Sequence, residues 1–579
     1  MDVVFVAEEE VRTPVLAGLT ALGLEPTEVD IDSVDSHAMP IVAAPAGDPL
    51  LTQAGDRLDG LWIGIEVGGM GGWQLPKTEA CVTVFDAAGG PCHRCLRTRI
   101  DAAHKELTEA SGGIDASSAS YAGAQAAWML RDVGADQLDQ LRGRLIEIGG
   151  TTRRLLAVPG CDCELAADRF ELEFAHVEYE LDDALERAEQ ALDDRLGIIT
   201  EVGEQASFPT PYYLARLADT AGFSDRTAAK LAAGVDHDWN GSFMRALGES
   251  LERYCAGVYH VDDLPTEPGV RCIELGSLAL ARGDDRPIGH WWRGMDLHEQ
   301  TSVSLPAESV VFPPPDDADL AGITTGLGLG SSMVTATLQG LLEVIERDAC
   351  MLGWYSTFEP MALHVDNEGY RTIERRIASE GLGATSLLVT QDIDVPVVTS
   401  VVHRRDGEGD SMVTVPWSDG DDWPAFAVGS AASFDPAKAA ERALAEATQN
   451  WMELRSMGPD RAASEGAIAR FASFPREARG FLDIEHEVPV TSVGPAEIPE
   501  GETALDRAIQ AVSEVGLDAY VARLTTPDVA DLGFEVVRVI VPEAQPLVRQ
   551  ATPMSQRVKT VPRSLGFRPR LDRGPHPYP

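Results

Sequence analysis

The sequence predicts a mixed α/β (α+β) chain made of two folded units, and three observations predict it. Apolar runs of strand length alternate with stretches of helical spacing along most of the chain. The 579 residues are 44% hydrophobic, enough for two or three cores rather than one. An acidic stretch over residues 171–196 reads as a solvated helical junction between a small α/β unit at 1–170 and a larger α/β unit at 197–579.

In the first unit, residues 1–7 form a short apolar strand and residues 11–23 carry helical spacing. Residues 39–46 and 61–67 are further strands. Residues 79–86 form another strand that runs into a Gly-Pro turn bearing Cys92 and Cys95. Residues 117–133 and 137–148 read as helices, and 151–165 close the unit with Cys161 and Cys163. In the second unit, residues 383–405 predict a β-hairpin and 534–544 a strand, among amphipathic helices.

Lys plus Arg is 47 against 93 Asp plus Glu, a formal net charge of −46. Such a chain repels nucleic-acid phosphates and anionic lipid, and the sequence has no local basic patch to reverse this. Only five of the basic residues are Lys, and scattered acidity with Arg in place of Lys fits the cytosol of a salt-accumulating halophile. The N-terminal residues meet Glu8, Glu9 and Glu10 at once, which is not the pattern of a signal peptide. The uncharged run at 320–342 is rich in Gly and Thr, so it reads as a glycine-rich loop entering a buried helix rather than as a membrane span. Eight cysteines are too few for a disulfide framework, and a cytoplasmic address is expected.

One internal echo stands out. Residues 241–254 and 335–348 each contain Glu-x-x-Glu-Arg, at Glu249, Glu252 and Arg253 and again at Glu343, Glu346 and Arg347, with the two copies 94 residues apart. Positions i and i+3 share a helix face, so each copy presents two carboxylates side by side within an apolar helix. Like charges so placed call for a cation. Mg²⁺ shared with nucleotide phosphates would serve, and so would a solvated face paired with Arg253 and Arg347. The glycine-rich residues 324–330 just before the second copy offer backbone N–H groups to a phosphate.

These segments carry a resemblance. Residues 323–330 with 343–349, residues 245–254 and residues 442–449 resemble, in order, the ATP-binding core of the YcaO superfamily. The final Gly574-Pro-His-Pro-Tyr-Pro579 is similar to the Pro-x-Pro-x-Pro terminus of its azoline-forming members. The likeness spans roughly residues 180–579. It implies a YcaO-like larger unit that uses ATP and Mg²⁺ to activate a backbone amide oxygen in a peptide or protein. Glu249, Glu252, Glu343 and Glu346 would face Mg²⁺, Arg347 and Arg442 the phosphates, with Ser331 at a nucleotide-binding position and the carboxylate of Pro579 moving protons. The expected product is an azoline from Cys, Ser or Thr, as in thiazole and oxazole biosynthesis of bacteriocin-like peptides. Two alternatives stand: thioamide formation with a sulfur-transfer partner, and a non-catalytic scaffold whose ATP site has decayed. Oxidation of an azoline would need a separate flavin dehydrogenase, and a homodimer is left open. The chain departs from the family at four positions. Val235 stands where a Lys is usual and Arg245 where a Ser is usual, while Ser331 and Thr335 replace an Asn and a Glu.

Cys92 and Cys95, with Cys161 and Cys163, form two chelating pairs in Gly- and Pro-flanked turns. Four thiolates suit one tetrahedral structural Zn²⁺, and buried or redox-active cysteines are the competing reading. Cys81, Cys255, Cys272 and Cys350 lie in apolar contexts and are expected in the core. Residues 91–96 and 155–161 resemble the zinc-binding part of the ThiF/ubiquitin-activating-like partner of YcaO cyclodehydratases. That implies a non-catalytic scaffold domain at 1–170, here without room for a complete winged-helix clasp.

Overall fold

The computed structural model describes all residues except 1, 36, 88, 111–112, 132–134, 164–169, 274–277, 279–287, 316–321, 406–422, 466–467, 483, 549–552 and 579. The first strands are β1 (Val3–Ala7), β2 (Thr27–Glu28), β3 (Met39–Pro45), β4 (Leu61–Val67), β5 (Trp73–Gln74), β6 (Ala80–Asp86), β7 (Thr108–Glu109), β8 (Arg144–Glu147) and β9 (Thr152–Arg154). Seven of them form one sheet in the order β2-β1-β3-β4-β6-β8-β9, while β5 and β7 pair separately. Pairing is parallel as far as β4 and antiparallel beyond it. Helices α1 (Glu9–Ala21), α2 (Pro49–Arg57), α3 (His93–Ala103) and α4 (Ala116–Arg131) cover both faces. Ile41 and Ala43 of β3 therefore pack with α1 and α4, and Val42 and Ala44 with α2 and α3. Burial on both faces is why β3 is apolar at every position rather than at alternate ones.

Two expectations fail here. Residues 137–148 are not a helix. A 3₁₀ segment ends at Leu141, Gly143 turns the chain at φ 71°, and β8 follows. Leu145 and Ile146 are buried on opposite faces of the covered sheet, so two-sided burial decides for strand. The acidic junction is helical only at α5 (Leu181–Ala188) and one 3₁₀ turn after it. Leu172 and Phe174, two residues apart, both pack on the large core, which an extended chain allows and a helix does not.

The remaining chain holds β10 (Ile199–Ala206), β11 (Tyr212–Leu217), β12 (Leu231–Val235), α6 (Trp239–Gly257), β13 (Trp291–Asp296), β14 (Thr301–Pro306), α7 (Ala307–Val310), β15 (Leu327–Gly330) and α8 (Met333–Trp354). After these come β16 (Met361–His364), α9 (Glu368–Ser379), β17 (Leu382–Leu388), β18 (Val397–Arg404), β19 (Phe426–Ala432), α10 (Pro436–Glu465), β20 (Glu487–Pro489) and α11 (Gly501–Glu514). Last are β21 (Tyr520–Arg523), α12 (Pro527–Asp531), β22 (Glu535–Ile540) and α13 (Arg557–Ser564). They build three sheets: β10-β11-β12, β14-β13-β21-β22-β15 and β19-β18-β17-β16-β20. The expected hairpin is β17–β18, in antiparallel register from Leu382↔Arg404 to Leu388↔Val398.

Helices α6, α8 and α10 each lie against a strand glycine. A Cβ on Gly234 of β12 would fall 2.2 Å from Ser242 O of α6, and one on Gly328 of β15 2.2 Å from Ala336 O of α8. One on Gly429 of β19 would fall 2.4 Å from Ala443 O of α10. The strand and helix backbones touch where any side chain would hold them apart. This corrects the glycine-rich loop: residues 327–330 are a strand paired with β22, and Gly328 serves close packing. Gly234 and Gly328 are themselves 94 residues apart, so the sequence echo includes the packing glycine.

Cys81, Cys255 and Cys350 are buried, but Cys272 is exposed. It pairs through its backbone with Ser304 of the sheet-edge strand β14, which leaves its side chain to solvent. Among the described residues no helix is long and apolar enough to cross a membrane.

Candidate active site

The glycine contacts bring β12, β19 and the turn just before β15 close enough for their N–H groups to reach glutamates on the adjoining helices. Ala233 N donates to Glu249 Oε2 at 2.6 Å, Gly326 N to Glu343 Oε2 at 2.9 Å, and Ser430 N to Glu446 Oε2 at 2.6 Å. Each helix thus offers a carboxylate with one oxygen held by a backbone N–H in, or just before, the adjoining strand. Asp238 and Ser332 cap the starts of α6 and α8, accepting from Gly241 N and Thr335 N. The hydroxyl of Ser430 also donates to Glu346 Oε1 at 2.7 Å, so one serine ties carboxylates of α8 and α10 together.

A cleft of about 1080 Å³ opens between these helices, walled by Glu249, Glu252, Glu343, Glu346, Arg442 and Glu446 among others. A cavity of about 250 Å³ adjoins it, lined by Glu249, Glu252, Glu343, Glu446 and Arg347. Arg253 pairs with Glu249 on the same helix, and the other carboxylates crowd one another. Desolvation, then repulsion from Glu343 and Glu249, pushes Glu252 up to about 8. Desolvation pushes Glu446 up to about 7 against the pull of Arg347, and it also raises Glu249 and Glu343. Burial would lower Arg347, but Glu346, Glu446 and Glu343 outweigh it and raise it. Desolvation, then repulsion by Arg245, brings Arg442 down to about 10.

Arg347 stands 3.6–3.9 Å from Glu343, Glu346 and Glu446, beyond hydrogen-bond reach. Its Nε and Nη1 are buried with no hydrogen-bond partner among the described residues. Orphaned guanidinium donors beside crowded carboxylates suit one kind of occupant: an anion such as phosphate for the arginine, and a hard divalent cation for the glutamates. The residues therefore fit a nucleotide with Mg²⁺.

Of the sequence-predicted residues, Glu249, Glu252, Glu343, Glu346, Arg347 and Arg442 converge on these two cavities. Ser331 does not line them. Its hydroxyl donates to Val177 O at 2.6 Å, and Thr335 takes the place on the cleft wall. Val235 and Arg245 both line the cleft, with Arg245 Nε held by Asp236 Oδ2 at 2.7 Å. Pro579 lies outside the described residues. Its neighbour Tyr578 is buried, with its hydroxyl 3.3 Å from Thr399 Oγ1. Trp354 Nε1 donates to Gly574 O at 3.1 Å, so the tail is fastened to the end of α8.

Sequence reasoning gave no role to Glu446, although it lies in the 442–449 segment, and missed Ser430 and Arg538. Glu446 had a signal, since it follows Arg442 by one helical turn. Arg538 had another: it interrupts an apolar strand, and it is buried with its guanidinium on the carbonyls of Val310, Ile323 and Thr325. Ser430 had none, because only the approach of β19 to α8 gives it a role.

The cysteine tetrad forms a separate site. The sulfurs of Cys92 and Cys161 lie 3.7 Å apart, those of Cys95 and Cys163 3.4 Å, and those of Cys92 and Cys95 3.8 Å. All four fall within 4.8 Å of one another. Four sulfurs around one tetrahedral Zn²⁺ would be separated by about 3.8 Å, so the set fits such an ion. Cys92 stands at the N-terminal boundary of α3, which places Cys95 one turn along from it on the same helix. Hydrogen bonds from Cys163, Cys92 and Cys95 hold Cys161 far below the usual thiol range. Beside it, buried His93 contacts Glu66 Oε1 at 2.9 Å and Thr52 Oγ1 at 3.1 Å.

Comparison with known proteins bears on the larger site. The family described as YcaO cyclodehydratase, ATP- and Mg²⁺-binding, matches residues 237–545. An uncharacterized protein of Methanothermobacter thermautotrophicus (strain Delta H) is 26% identical over 318 residues, which is 51% of this chain and 77% of that protein. Among solved structures, a heterocyclase in complex with substrate and cofactor matches with a TM-score of 0.70 at 17% identity, covering 100% of this chain and 84% of that one. The heterocyclase TruD matches with a TM-score of 0.63 at 18% identity, covering 97% and 82%. At these identities the structural likeness speaks for the fold.

Proposed function

This chain belongs to the YcaO cyclodehydratase, ATP- and Mg²⁺-binding family, and on that premise we propose that it activates backbone amides of a peptide or protein to close azoline rings at Cys, Ser or Thr. The observation that carries the reading is the pairing of crowded carboxylates from α6, α8 and α10 with the orphaned donors of buried Arg347. ATP with Mg²⁺ would supply the phosphoryl group that turns an amide oxygen into a leaving group. Glu249, Glu252, Glu343, Glu346 and Glu446 would hold the metal, while Arg347 and Arg442 would meet phosphate oxygens, because phosphoryl transfer needs positioning and charge neutralisation above all. Arg245 stands beside Arg442 and would supply the positive charge that Val235 does not. The Cys, Ser or Thr of the substrate would add to the preceding carbonyl, and the amide oxygen would leave as phosphate. The terminal segment through Tyr578 and Pro579 would bring a proton acceptor toward the reacting amide. We assign residues 1–170 to a scaffold domain whose Cys92, Cys95, Cys161 and Cys163 hold a structural Zn²⁺.

The test is incubation of the purified chain with ATP, Mg²⁺ and a panel of Cys-, Ser- and Thr-containing peptides in molar KCl. Loss of one water from the peptide by mass spectrometry, matched by release of phosphate, is expected. Phosphate release without any change in peptide mass across the panel, including peptides encoded beside the gene, would count against ring closure.

A further inference from the structure

Arg99 is fully buried on α3, one turn beyond Cys95. Its guanidinium donates to Ala157 O at 2.6 Å, to Tyr254 Oη at 3.3 Å and to the carboxylate of Asp528. Tyr254 Oη donates to the same carboxylate at 2.8 Å, and both Tyr254 and Asp528 are fully buried. One cation thus joins four parts of the chain: α3, α6, α12 and the segment that leads to Cys161. That segment is itself tied to the tetrad, since Val158 N donates to Cys95 Sγ at 3.3 Å. Beside this junction, Cys255 Sγ of α6 meets Thr526 Oγ1 at 3.3 Å.

A buried ion pair adds little net stability over an apolar contact of the same shape, but its fixed fork of donors tolerates one geometry. The element it fixes here carries the chemistry. Tyr254 follows Glu252 by two residues and Glu249 by five on α6. A rotation or slide of α6 at Tyr254 would swing both carboxylates away from Glu343, with which they share a cavity.

We infer that Arg99 is a positioning residue for the metal-binding carboxylates, setting the pose of α6 through Tyr254 and Asp528. The cysteine-bearing unit thereby helps build a cation site to which it contributes no ligand. The inference rests on the proposed reading only in taking the carboxylates to hold a divalent cation, and its test is independent of ATP turnover.

The probe is Mn²⁺ alone, titrated into the full chain in molar KCl and followed by the electron paramagnetic resonance of the free ion. Zinc content and the thermal midpoint are measured on the same samples. Tyr254→Phe removes one hydroxyl without changing shape, and Arg99→Lys keeps the charge but not the fork. Both should retain zinc and fold, and both should bind Mn²⁺ about tenfold more weakly, no more than the low end of what losing a group bonded directly to a ligand costs, since they act through the pose of α6. Arg99→Met should weaken binding further. Mn²⁺ affinity within about twofold of wild type in folded Tyr254→Phe and Arg99→Lys would overturn the inference, as would wild-type protein that binds no Mn²⁺. Weakened Mn²⁺ binding in the variants of a protein that never turns over ATP would sustain the inference and sink the catalytic reading alone.

Discussion

Ser430 and Glu346 are joined by a 2.7 Å hydroxyl–carboxylate hydrogen bond, while the backbone N–H of the same serine holds Glu446. One residue within β19 therefore sets two carboxylates from different helices. Ser430→Ala keeps the backbone bond and frees Glu346. Mg·ATP affinity should fall about tenfold with the fold intact, as for other outer-shell losses. Calorimetry in molar KCl measures it, and unchanged affinity would mean that Glu346 needs no such support.

The carboxylates themselves give a pH dependence. Glu252 and Glu446 are pushed up to about 8 and about 7, so without metal the folded state holds protons that the unfolded state has already released. Stability should then fall as pH rises from about 5 to about 8, because the folded state binds more protons over that range. Mg²⁺ competes with those protons, so it should raise the melting temperature more at pH 8 than at pH 6. Equal Mg²⁺ stabilisation at both values would show that the carboxylates are already ionised in the metal-free protein.

The tetrad makes a metal prediction. The purified chain should carry about one Zn²⁺, and Cys92→Ser should lose it together with stability of residues 1–170, since a structural site contributes folding energy directly. Elemental analysis that finds no zinc in protein prepared without chelators would remove the assignment.

Gly328 is a packing position. A methyl group there meets Ala336 O at 2.2 Å, backbone against backbone, with no flexible atom to yield. Gly328→Ala should therefore destabilise by about 1–3 kcal/mol and displace Glu343 with α8. Urea unfolding in molar KCl reports the first effect and Mg·ATP titration the second. A variant as stable as wild type would show that β15 can lift from the helix at no cost.

The tail gives the last prediction. Tyr578 sits in the core beside Thr399 and one turn of α8 away from Glu346, next to Cys350. Tyr578→Ala should slow turnover of a peptide about 100-fold through misplacement of the tail, while leaving Mg·ATP affinity nearly unchanged. Equal loss of both would make the tail a part of the nucleotide site rather than of the reacting centre.

Much of the site was legible along the chain because its spacing is helical. Glu249 with Glu252, and Glu343 with Glu346, each lie on one helix face, and that follows from 3.6 residues per turn without any tertiary information. The cysteine pairs were legible for a similar reason: Cys92 and Cys95 share a helical turn, and Cys161 and Cys163 a tight loop. Residues 137–148 misled because their helical propensity was overruled by burial on both sides of a sheet. Residues 327–330 misled because glycines that bring backbones into contact look the same in sequence as glycines of a loop, whereas Thr324 and Thr325 just before them do line the smaller cavity.

What the sequence determined by itself was therefore local: which helices carry paired carboxylates, which thiols can share an ion, and how acidic the surface is. Tertiary structure alone decided which of these meet. It brought Glu446 and Ser430 to the α8 pair, moved Ser331 off the cleft in favour of Thr335, and joined Arg99 to Tyr254 and Asp528. The physical reason is that helical periodicity fixes neighbours three and four residues apart. Contacts between residues 99 and 528, or 346 and 430, exist only in the folded chain, and for the second pair strand glycines let α8 and α10 settle against their sheets.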